Sequence, residues 1–438
     1  MKRFSSMFRR ARGRKPSPPN SMDPKPAAPA PAPAETPAPA PAPGPPPAQQ
    51  LNTQATGATL NIALQNQTTS STVYAYVTGT AIDNNNALFL LSSDGNTPYY
   101  PTSPGGTGSA LAQDCAIGLG APGNTVNVTI PHIAGGRIWF SVGSPLTFLL
   151  NPGPALVEPS VTNPSDPNIN INWGFAEFTF NSDQLYANIS YVDFVGLPIA
   201  LTLTTANSGT QHVSGMPANG LDQVCSGLLA QHATDGQGWD QLVVTTQDGQ
   251  NLRALSPNQG MVMKSDLFTG YYDDYVNRAW AKFSGQPMSV DTQASYGTVS
   301  AQVSDGELSL GGSEFSQPST RDVFTCSTGP FATGADAEAN AIIPRLAAAF
   351  NRSTLLVSDV FPADQSLYYQ DPVTNHYSRI VHGANLDGKG YAFPYDDVQP
   401  TNGKDQSGEV HAGDPTLFTV TVGGQNASVD VPKHKDEL

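Results

Sequence analysis

Two carboxylate side chains lie inside apolar runs, in a part of the sequence that otherwise predicts β-strands. Glu177 occurs in the segment 174–181 and Asp193 in the segment 187–195. Strand interiors disfavour acidic residues, because burying a carboxylate costs free energy that another interaction must offset. Two such acids on neighbouring strands could hydrolyse a glycosidic bond, one carboxyl group donating a proton and the other activating a water.

Side-chain alternation predicts the environment of the first acid. Alternate residues of a strand point to opposite faces. One face of the segment 174–181 would carry Glu177, Thr179 and Asn181, while the other would carry only apolar side chains suited to a core. An alternative hypothesis is that both acids merely keep a strand edge or rim soluble.

The turn between the two segments decides how far apart the acids lie. A turn centred on Asp183 would place Glu177 opposite Ile189. Asp193 would then be displaced along its strand, leaving room for a water as an inverting hydrolase requires. A turn centred on Leu185 would oppose the two acids directly and favour retention. The sequence leaves both registers open.

The elements that must position these acids form two groups. Short runs rich in Val, Ile, Thr and Phe, separated by Gly, Pro and Asn, predict a β-barrel or sandwich. Helical and strand-like patterns then alternate and predict a mixed α/β domain. The predicted helices span 220–232, 271–283 and 336–350, the last kinked at Pro344, and a strand-like piece spans 261–264. A final strand-like run at 416–422 is predicted to return to the first domain.

These changes of composition define four segments of the chain. The segment 1–50 is basic at its start and holds 15 of the 39 prolines, which predicts a disordered tail. The β domain spans 51–210 and the mixed domain 211–400. A second tail covers 429–438 and ends in the tetrapeptide KDEL.

Charge and cysteine content limit the possible partners. Residues 51–438 hold 13 basic and 34 acidic residues, a net charge of 13 − 34 = −21, which disfavours nucleic acid and suits a neutral ligand such as a sugar. No apolar stretch is long enough to predict a membrane span. The three cysteines form no CxxC motif and no HExxH motif occurs, so we expect neither a metal nor another cofactor. We expect a monomer.

The block 135–205, with the motifs WGFAEFT and YVDFV, resembles glycoside hydrolase family 64, and the similarity extends to 391–400. The family consists of endo-acting β-1,3-glucanases in which a thaumatin-like β-barrel is joined to an α/β domain, with a wide groove between them. The resemblance implies a mainly β fold of this kind. It also implies inverting hydrolysis of β-1,3-glucan to short laminari-oligosaccharides, with Glu177 as general acid and Asp193 as general base.

Further residues are candidates for binding the polysaccharide. The resemblance suggests groove-lining roles for five polar residues: Asp166, Thr179, Asn181, Asp396 and Asp397. Trp173 and Tyr186 flank the two acidic segments and could offer aromatic faces to sugar rings. Packing in the core or at its rim is the alternative role for both aromatic side chains.

Two other functions are compatible with parts of the sequence. A thaumatin-like fold also occurs in non-catalytic β-glucan-binding proteins, although both acids are present here. A basic disordered arm before a β domain also occurs in capsid proteins, but the acidic body argues against that class.

The signals for cellular location disagree. Five N-x-S/T sequons, at Asn66, Asn127, Asn188, Asn351 and Asn426, and the KDEL ending suggest secretion or the secretory pathway. The basic N-terminal segment lacks the apolar stretch of a recognisable signal peptide.

Overall fold

A computed structural model describes residues 56–424 of the chain. Its N-terminal part is built almost entirely of strands. These are β1 (Leu60–Asn66), β2 (Val73–Ala81), β3 (Ala87–Leu91), β4 (Pro98–Tyr99), β5 (Ser109–Ala110), β6 (Ile117–Gly118), β7 (Thr125–Ile130), β8 (Ile133–Val142), β9 (Leu149–Asn151), β10 (Ala155–Val157), β11 (Asn172–Phe180), β12 (Leu185–Ile189), β13 (Phe194–Val195), β14 (Ile199–Thr205) and β15 (Thr210–Val213).

Helices and strands alternate in the remainder. In chain order they are α1 (Gly220–Asp235), β16 (Val243–Thr245), β17 (Asn251–Leu255), α2 (Pro257–Met263), α3 (Asp273–Gly285), β18 (Met288–Asp291), β19 (Thr298–Ser304), β20 (Glu307–Leu310), β21 (Ser313–Phe315), α4 (Thr320–Thr325), α5 (Ala337–Asn351), β22 (Val360–Phe361), α6 (His376–Ala384), β23 (Glu409–Ala412) and β24 (Pro415–Val422). Short 3-10 helices cover Gly238–Leu242, Gly329–Phe331 and Gln365–Leu367.

Two packed sheets form the N-terminal part. The larger sheet has the order β23-β12-β11-β8-β2-β3-β4, with β6 also paired to β2, and the smaller has the order β15-β14-β24-β1-β7. Strand β14 of the smaller sheet packs against β11 and β12 of the larger. The predicted mainly β fold is therefore confirmed as a sandwich, because both sheets remain open and no closed barrel forms within residues 56–424.

Alternating apolar residues explain the core of this sandwich. In the larger sheet, Ile138 on β8 pairs with Val77 on β2 and with Ala176 on β11, and all three are buried. In the smaller sheet, Leu201 on β14 pairs with Val420 on β24, and both are fully buried. Fully burying an aliphatic side chain of this size stabilises the fold by about 1.5–3 kcal/mol.

The mixed α/β part contains two small sheets that are separate from the sandwich. One has the order β13-β17-β16 and another β21-β20-β19-β18-β22, while helices α1 and α6 pack on each other. A third small sheet, of order β10-β9-β5, belongs to the N-terminal part. No helix within residues 56–424 is both long enough and apolar enough to cross a membrane.

Two local predictions were wrong. The segment 261–264 is the end of helix α2, which begins where the Ser256 hydroxyl accepts a hydrogen bond from the Gln259 N–H and Pro257 takes the first helical position. The segment 187–195 is interrupted after β12, because the chain leaves the larger sheet, forms an isolated bridge between Ser190 and Tyr391, and joins another sheet at β13, which pairs with β17.

Several predictions concern tails and boundaries. The tails 1–50 and 429–438 lie outside the described residues. Strand β24 lies between β1 and β14, and β23 extends the larger sheet beside β12. The division near residue 210 and the wide groove stay predictions.

Four of the five sequons fall within the described range. Asn66, Asn188 and Asn351 are buried, at 2% exposure or less. Asn127, on the edge strand β7, is exposed. Of these four side chains, only the amide of Asn127 is open to solvent.

Candidate active site

A row of polar side chains crosses five neighbouring strands of the larger sheet. Its members are directly paired from strand to strand, and we call them the polar row: Thr78 on β2, Arg137 on β8, Glu177 on β11, Asn188 on β12 and Glu409 on β23. The adjacent residues of these strands point into the sandwich core. The polar row therefore occupies the face of the sheet that points away from β14.

The hairpin between β11 and β12 fixes which residue faces Glu177. The side-chain oxygen of Asn181 accepts hydrogen bonds from the backbone N–H groups of Asp183 and Gln184, both at 2.9 Å. This turn is centred between Ser182 and Asp183, so neither register considered from the sequence is adopted. Glu177 lies opposite Asn188 instead of Ile189 or Asp193.

A β-bulge in β8 precedes the arginine of the polar row. Gly135 adopts φ +54°, and an added Cβ at Gly136 would lie 2.4 Å from the ring of Phe178. The pairing of β8 with β11 shifts at this point. Bulges change the twist of a strand and redirect its side chains. Here the strand resumes with Arg137 directly opposite Glu177.

Arg137 joins two carboxylates. Its Nε and Nη2 atoms both donate to Oε1 of Glu177 at 3.2 Å, and its Nη1 atom donates to Oε2 of Glu158. The guanidinium carbon lies 4.9 Å from the ring centroid of Phe175 and 5.5 Å from that of Trp139. The hydrogen bonds from the guanidinium and its contacts with the rings of Phe175 and Trp139 fix the orientation of the arginine.

The charges around Arg137 are predominantly negative. Burial disfavours its cation, but the nearby charges of Glu158, Glu177 and Asp193 outweigh burial and raise the pKa of Arg137. Burial raises the pKa of Glu158, and the charges of Glu177 and Asp193 add to that rise against the opposing effect of Arg137. Three carboxylates therefore lie within electrostatic reach of one guanidinium.

Asp193 is held by elements that follow it in the chain. Its Oδ1 atom accepts a hydrogen bond of 2.7 Å from Nε2 of Gln259 on α2, and its backbone oxygen accepts one of 2.9 Å from the Ser256 N–H. Gly196 lets the next residues approach β11, since a Cβ there would lie 2.2 Å from the backbone oxygen of Trp173. Asp193 consequently lies in a bend before β13, outside the hairpin.

The two aromatic candidates are both buried. Trp173 is 3% exposed, with the ring of Phe194 at 4.6 Å and the guanidinium of Arg253 at 5.9 Å from its own ring. Tyr186 is 8% exposed. Burial raises the pKa of the Tyr186 hydroxyl, as do the charge of Glu409 and the hydrogen bond to it. Sugar-binding roles for these two residues stay predictions.

Three of the groove-lining candidates lie in the N-terminal part. Thr179 is half-buried on the face of Glu177 and pairs with Tyr186. The side-chain oxygen of Asn181 belongs to the turn described above. Asp166 is buried and accepts backbone N–H groups from Asn168 at 2.7 Å and Ser160 at 3.1 Å, which stabilises its own loop.

Asp397 lies beside the end of the polar row. Its Oδ1 atom accepts a hydrogen bond of 2.9 Å from the hydroxyl of Tyr391. Burial raises the pKa of Asp397, and the charge of Glu409 adds to the rise. Asp397 also acts electrostatically on Tyr186.

Asp396 is buried, and both its oxygens are in use. Oδ1 accepts from Nη2 of Arg352 at 3.0 Å, while Oδ2 contacts Nε2 of His382 and the Ala392 N–H, each at 2.9 Å. Burial alone would raise the pKa of Asp396, but His382 and Arg352 together lower it. The side chain belongs to an interior ionic network.

Sequence reasoning did not single out Arg137, Glu158, Gln259 or Glu409. Arg137 stands within the apolar run GGRIWF, and the rule that drew attention to Glu177 and Asp193 would have identified it too. Glu158 and Gln259 carry no such local signal. Among residues 56–424, no group of three or more His, Cys, Asp or Glu side chains could hold a metal ion.

Residues 58–422 match the sequence model of the family Glyco_hydro_64, described as beta-1,3-glucanase. This span covers most of the chain, which therefore belongs to glycoside hydrolase family 64. The protein is a glycoside hydrolase.

Individual relatives agree with this family. The chain is 30% identical to a glucan endo-1,3-beta-glucosidase from Cellulosimicrobium cellulans over 394 residues, 86% of this chain and 69% of that protein. A crystal structure of a laminaripentaose-producing beta-1,3-glucanase in complex with laminaritetraose superimposes with a TM-score of 0.75 and 31% identity, covering 83% of this chain and 98% of that one. A beta-1,3-glucanase domain from Clostridium beijerinckii, with 22% identity and a TM-score of 0.65 over 83% of this chain and 98% of its own, shares the fold.

Proposed function

We propose that this protein is an endo-acting β-1,3-glucanase that hydrolyses its substrate with inversion and releases short laminari-oligosaccharides. Glu177 is the general acid and Asp193 the general base. The observation that carries the assignment is the electrostatic coupling of both carboxylates to Arg137, which is also hydrogen-bonded to Glu177. The family, the name of the curated relative and the laminaritetraose bound to the structural relative support the choice of β-1,3-glucan.

The reaction needs one proton donor and one activated water. As the bond between C1 and the glycosidic oxygen breaks, its electron pair leaves with the oxygen, which takes the proton of Glu177. Asp193 removes a proton from a water whose oxygen attacks C1 from the opposite face. The product has the α configuration at its new reducing end, and proton exchange with solvent restores both carboxyl groups.

The surroundings of Glu177 support its role as the acid. Arg137 directs two N–H groups at Oε1, and no hydrogen bond within residues 56–424 engages Oε2, so Oε2 is the oxygen that can contact a glycosidic oxygen. The side chain of Glu177 keeps 21% of its surface exposed, which allows contact with a substrate.

The surroundings of Asp193 support its role as the base. Its side chain is half-buried and accepts a hydrogen bond from the neutral amide of Gln259, a contact compatible with an ionised carboxylate. Because Glu177 faces Asn188 in the hairpin, the two acids are not directly opposed, and this supports a water-mediated mechanism over a covalent one.

The test is hydrolysis of laminarihexaose followed by proton NMR during the first turnovers. We expect new reducing ends in the α configuration, with mutarotation to the β form following more slowly. Chromatography of a curdlan digest should show short oligosaccharides before glucose.

Other outcomes would reject parts of the proposal. New reducing ends that first appear in the β configuration would exclude inversion. A protein that sediments with curdlan yet releases no reducing ends would be the non-catalytic β-glucan-binding protein considered from the sequence.

A further inference from the structure

Arg253 on β17 is a buried residue whose guanidinium contacts two segments of the candidate active site. The residue is 1% exposed. Its Nη2 atom donates to the backbone carbonyl oxygens of Ile169 at 2.8 Å and Ile171 at 2.9 Å. These two residues directly precede β11, the strand that carries Glu177. Arg253 therefore attaches the start of β11 to β17.

The same guanidinium lies near one aromatic ring from each segment. Its central carbon is 5.9 Å from the ring centroid of Trp173 on β11 and 6.0 Å from that of Phe194, which follows Asp193. The two rings meet edge to face, with their centroids 4.6 Å apart. Both kinds of contact are favourable. Because Trp173 and Glu177 lie on the same face of β11, Arg253 joins the surroundings of the two acids.

Arg253 is costly to bury. Its two hydrogen bonds end on uncharged carbonyl groups, and its Nη1 atom has no hydrogen-bond partner within residues 56–424. Burial lowers the pKa of Arg253 to about 10, although the charge of Asp166 acts in the opposite direction. Burying a charge costs free energy unless the charge is paired and fully hydrogen-bonded. This cost indicates a purpose other than stability.

We propose that Arg253 is a positioning residue of the hydrolysis reaction. It fixes Asp193 relative to strand β11, so that the base and Glu177 act on the same glycosidic bond. An inverting hydrolase depends on the separation of its two carboxyl groups, because a water must fit beside the sugar. This inference rests on the proposed function of both acids.

The connections of the two acids explain why Arg253 has this effect. Asp193 is attached to β17, since β13 pairs with β17 and the Asp193 backbone oxygen accepts a hydrogen bond from the Ser256 N–H. Glu177 is attached to the larger sheet, where Arg137 lies opposite it. Weakening the contacts of Arg253 would let β17 and Asp193 move together while Glu177 stays in its sheet.

The test is the hydrolysis of laminarihexaose by the full chain carrying Arg253→Met. We expect kcat to fall about 10²-fold, the loss that a displacement of about 1 Å can cause. KM should stay unchanged, because the buried guanidinium does not touch the sugar. Urea denaturation should show a folded variant, since Met has a similar length and only two backbone carbonyl groups lose a donor.

A double-mutant cycle distinguishes positioning from a general structural role. In the Asp193→Asn background, Arg253→Met should lower kcat by less than about threefold, because the placement of the base no longer matters. The change in the urea midpoint should be the same in both backgrounds. A purely structural role would instead lower kcat by the same factor in both.

A matched arginine and a conservative variant complete the experiment. Arg379 on α6 is half-buried, and its guanidinium contacts Gln231 and His376, each at 3.0 Å. Arg379→Met should retain the wild-type kcat. If Arg253→Met does not fold, Arg253→Lys gives the same comparison, because an ammonium keeps the charge but lacks the rigid fork of N–H groups.

The results separate this inference from the proposed function. A wild-type kcat in the Arg253 variants, or an equal fractional loss in both backgrounds, would disprove the role of Arg253 while the proposed function stands. A higher KM with an unchanged kcat would also overturn it, because Arg253 would then contribute to substrate binding. A wild type that hydrolyses no β-1,3-glucan would refute the proposed function, and the inference with it.

Discussion

Two arginine–carboxylate centres in this protein have opposite charge balances. At the first, Arg137 serves Glu158 and Glu177, with Asp193 nearby, and the side chains keep contact with solvent. At the second, Arg352 and His382 surround one carboxylate whose side chain is 0% exposed.

The difference indicates which carboxylate can exchange a proton. At the second centre, fixed N–H donors use both oxygens of Asp396, and its pKa is lowered because His382 and Arg352 outweigh burial. At the first, Arg137 donates to only one oxygen of Glu177. A carboxyl group with an oxygen free of hydrogen bonds and accessible to solvent suits catalysis, whereas a fully bonded buried one suits stability.

The largest expected effect concerns the first centre. Glu177→Gln and Asp193→Asn should each lower kcat by about 10³-fold, within the range attributed to general acid–base catalysis, because each removes a proton donor or acceptor. Thermal unfolding should change little. The control is Asp183→Asn in the exposed turn of the same hairpin, which should retain wild-type activity. Either catalytic variant with near-normal turnover would remove the proposed distinction between the centres.

Substitutions at the second centre should lower the free energy of unfolding. Asp396→Asn leaves Arg352 buried without its counter-ion, and breaking a buried pair in this way typically costs about 3–5 kcal/mol in the free energy of unfolding. Urea denaturation measures this loss. At low temperature, the folded fraction should retain most of the wild-type kcat. A stable variant without activity would show instead that Asp396 takes part in the reaction.

The pH dependence of the free energy of unfolding provides a further test of the second centre. Burial opposes protonation of His382, but the charge and hydrogen bond of Asp396 outweigh it, so the pKa of His382 is raised above 6.5. The stability that this histidine contributes is fully present below pH 6.5 and is lost as the pH rises through the raised value. Urea unfolding should therefore show a larger loss of stability between pH 6 and 9 for wild type than for His382→Gln. Parallel curves would contradict a charged His382.

The smallest expected effect concerns the attachment of Asp193. Gln259→Met removes a hydrogen bond from a neutral amide, which typically contributes about 1 kcal/mol, or about fivefold in rate. We expect kcat to fall by this factor with KM unchanged, while Gln317→Met at an exposed position has no effect. A loss as large as that of Asp193→Asn would mean that Gln259 itself acts on the substrate.

Local patterns predicted one half of the candidate site. The alternation around Glu177 is a property of a single strand, and the structure buries Ala176, Phe178 and Phe180 as that pattern requires. The register was not predictable, because it depends on the Asn181 side chain accepting two backbone N–H groups in the turn.

The other half depends on contacts between residues distant in sequence. Asp193 is positioned by hydrogen bonds from Ser256 and Gln259, which lie more than sixty residues later in the chain. The periodicity of apolar residues in a sequence cannot predict contacts between such distant residues. The sequence predicts a strand at 261–264, within the end of the helix that carries Gln259, because this short apolar run lacks a helical period.

The position of β24 between β1 and β14 has a consequence for biosynthesis. Residues 415–422 fill the centre of the smaller sheet, although they are the last strand of the described chain. A nascent polypeptide that ends before them leaves β1 and β14 with unpaired edges, which are prone to aggregation. The chain must be translated through residue 422 before the sandwich can assemble, so termination before this strand should produce insoluble fragments instead of a shortened enzyme.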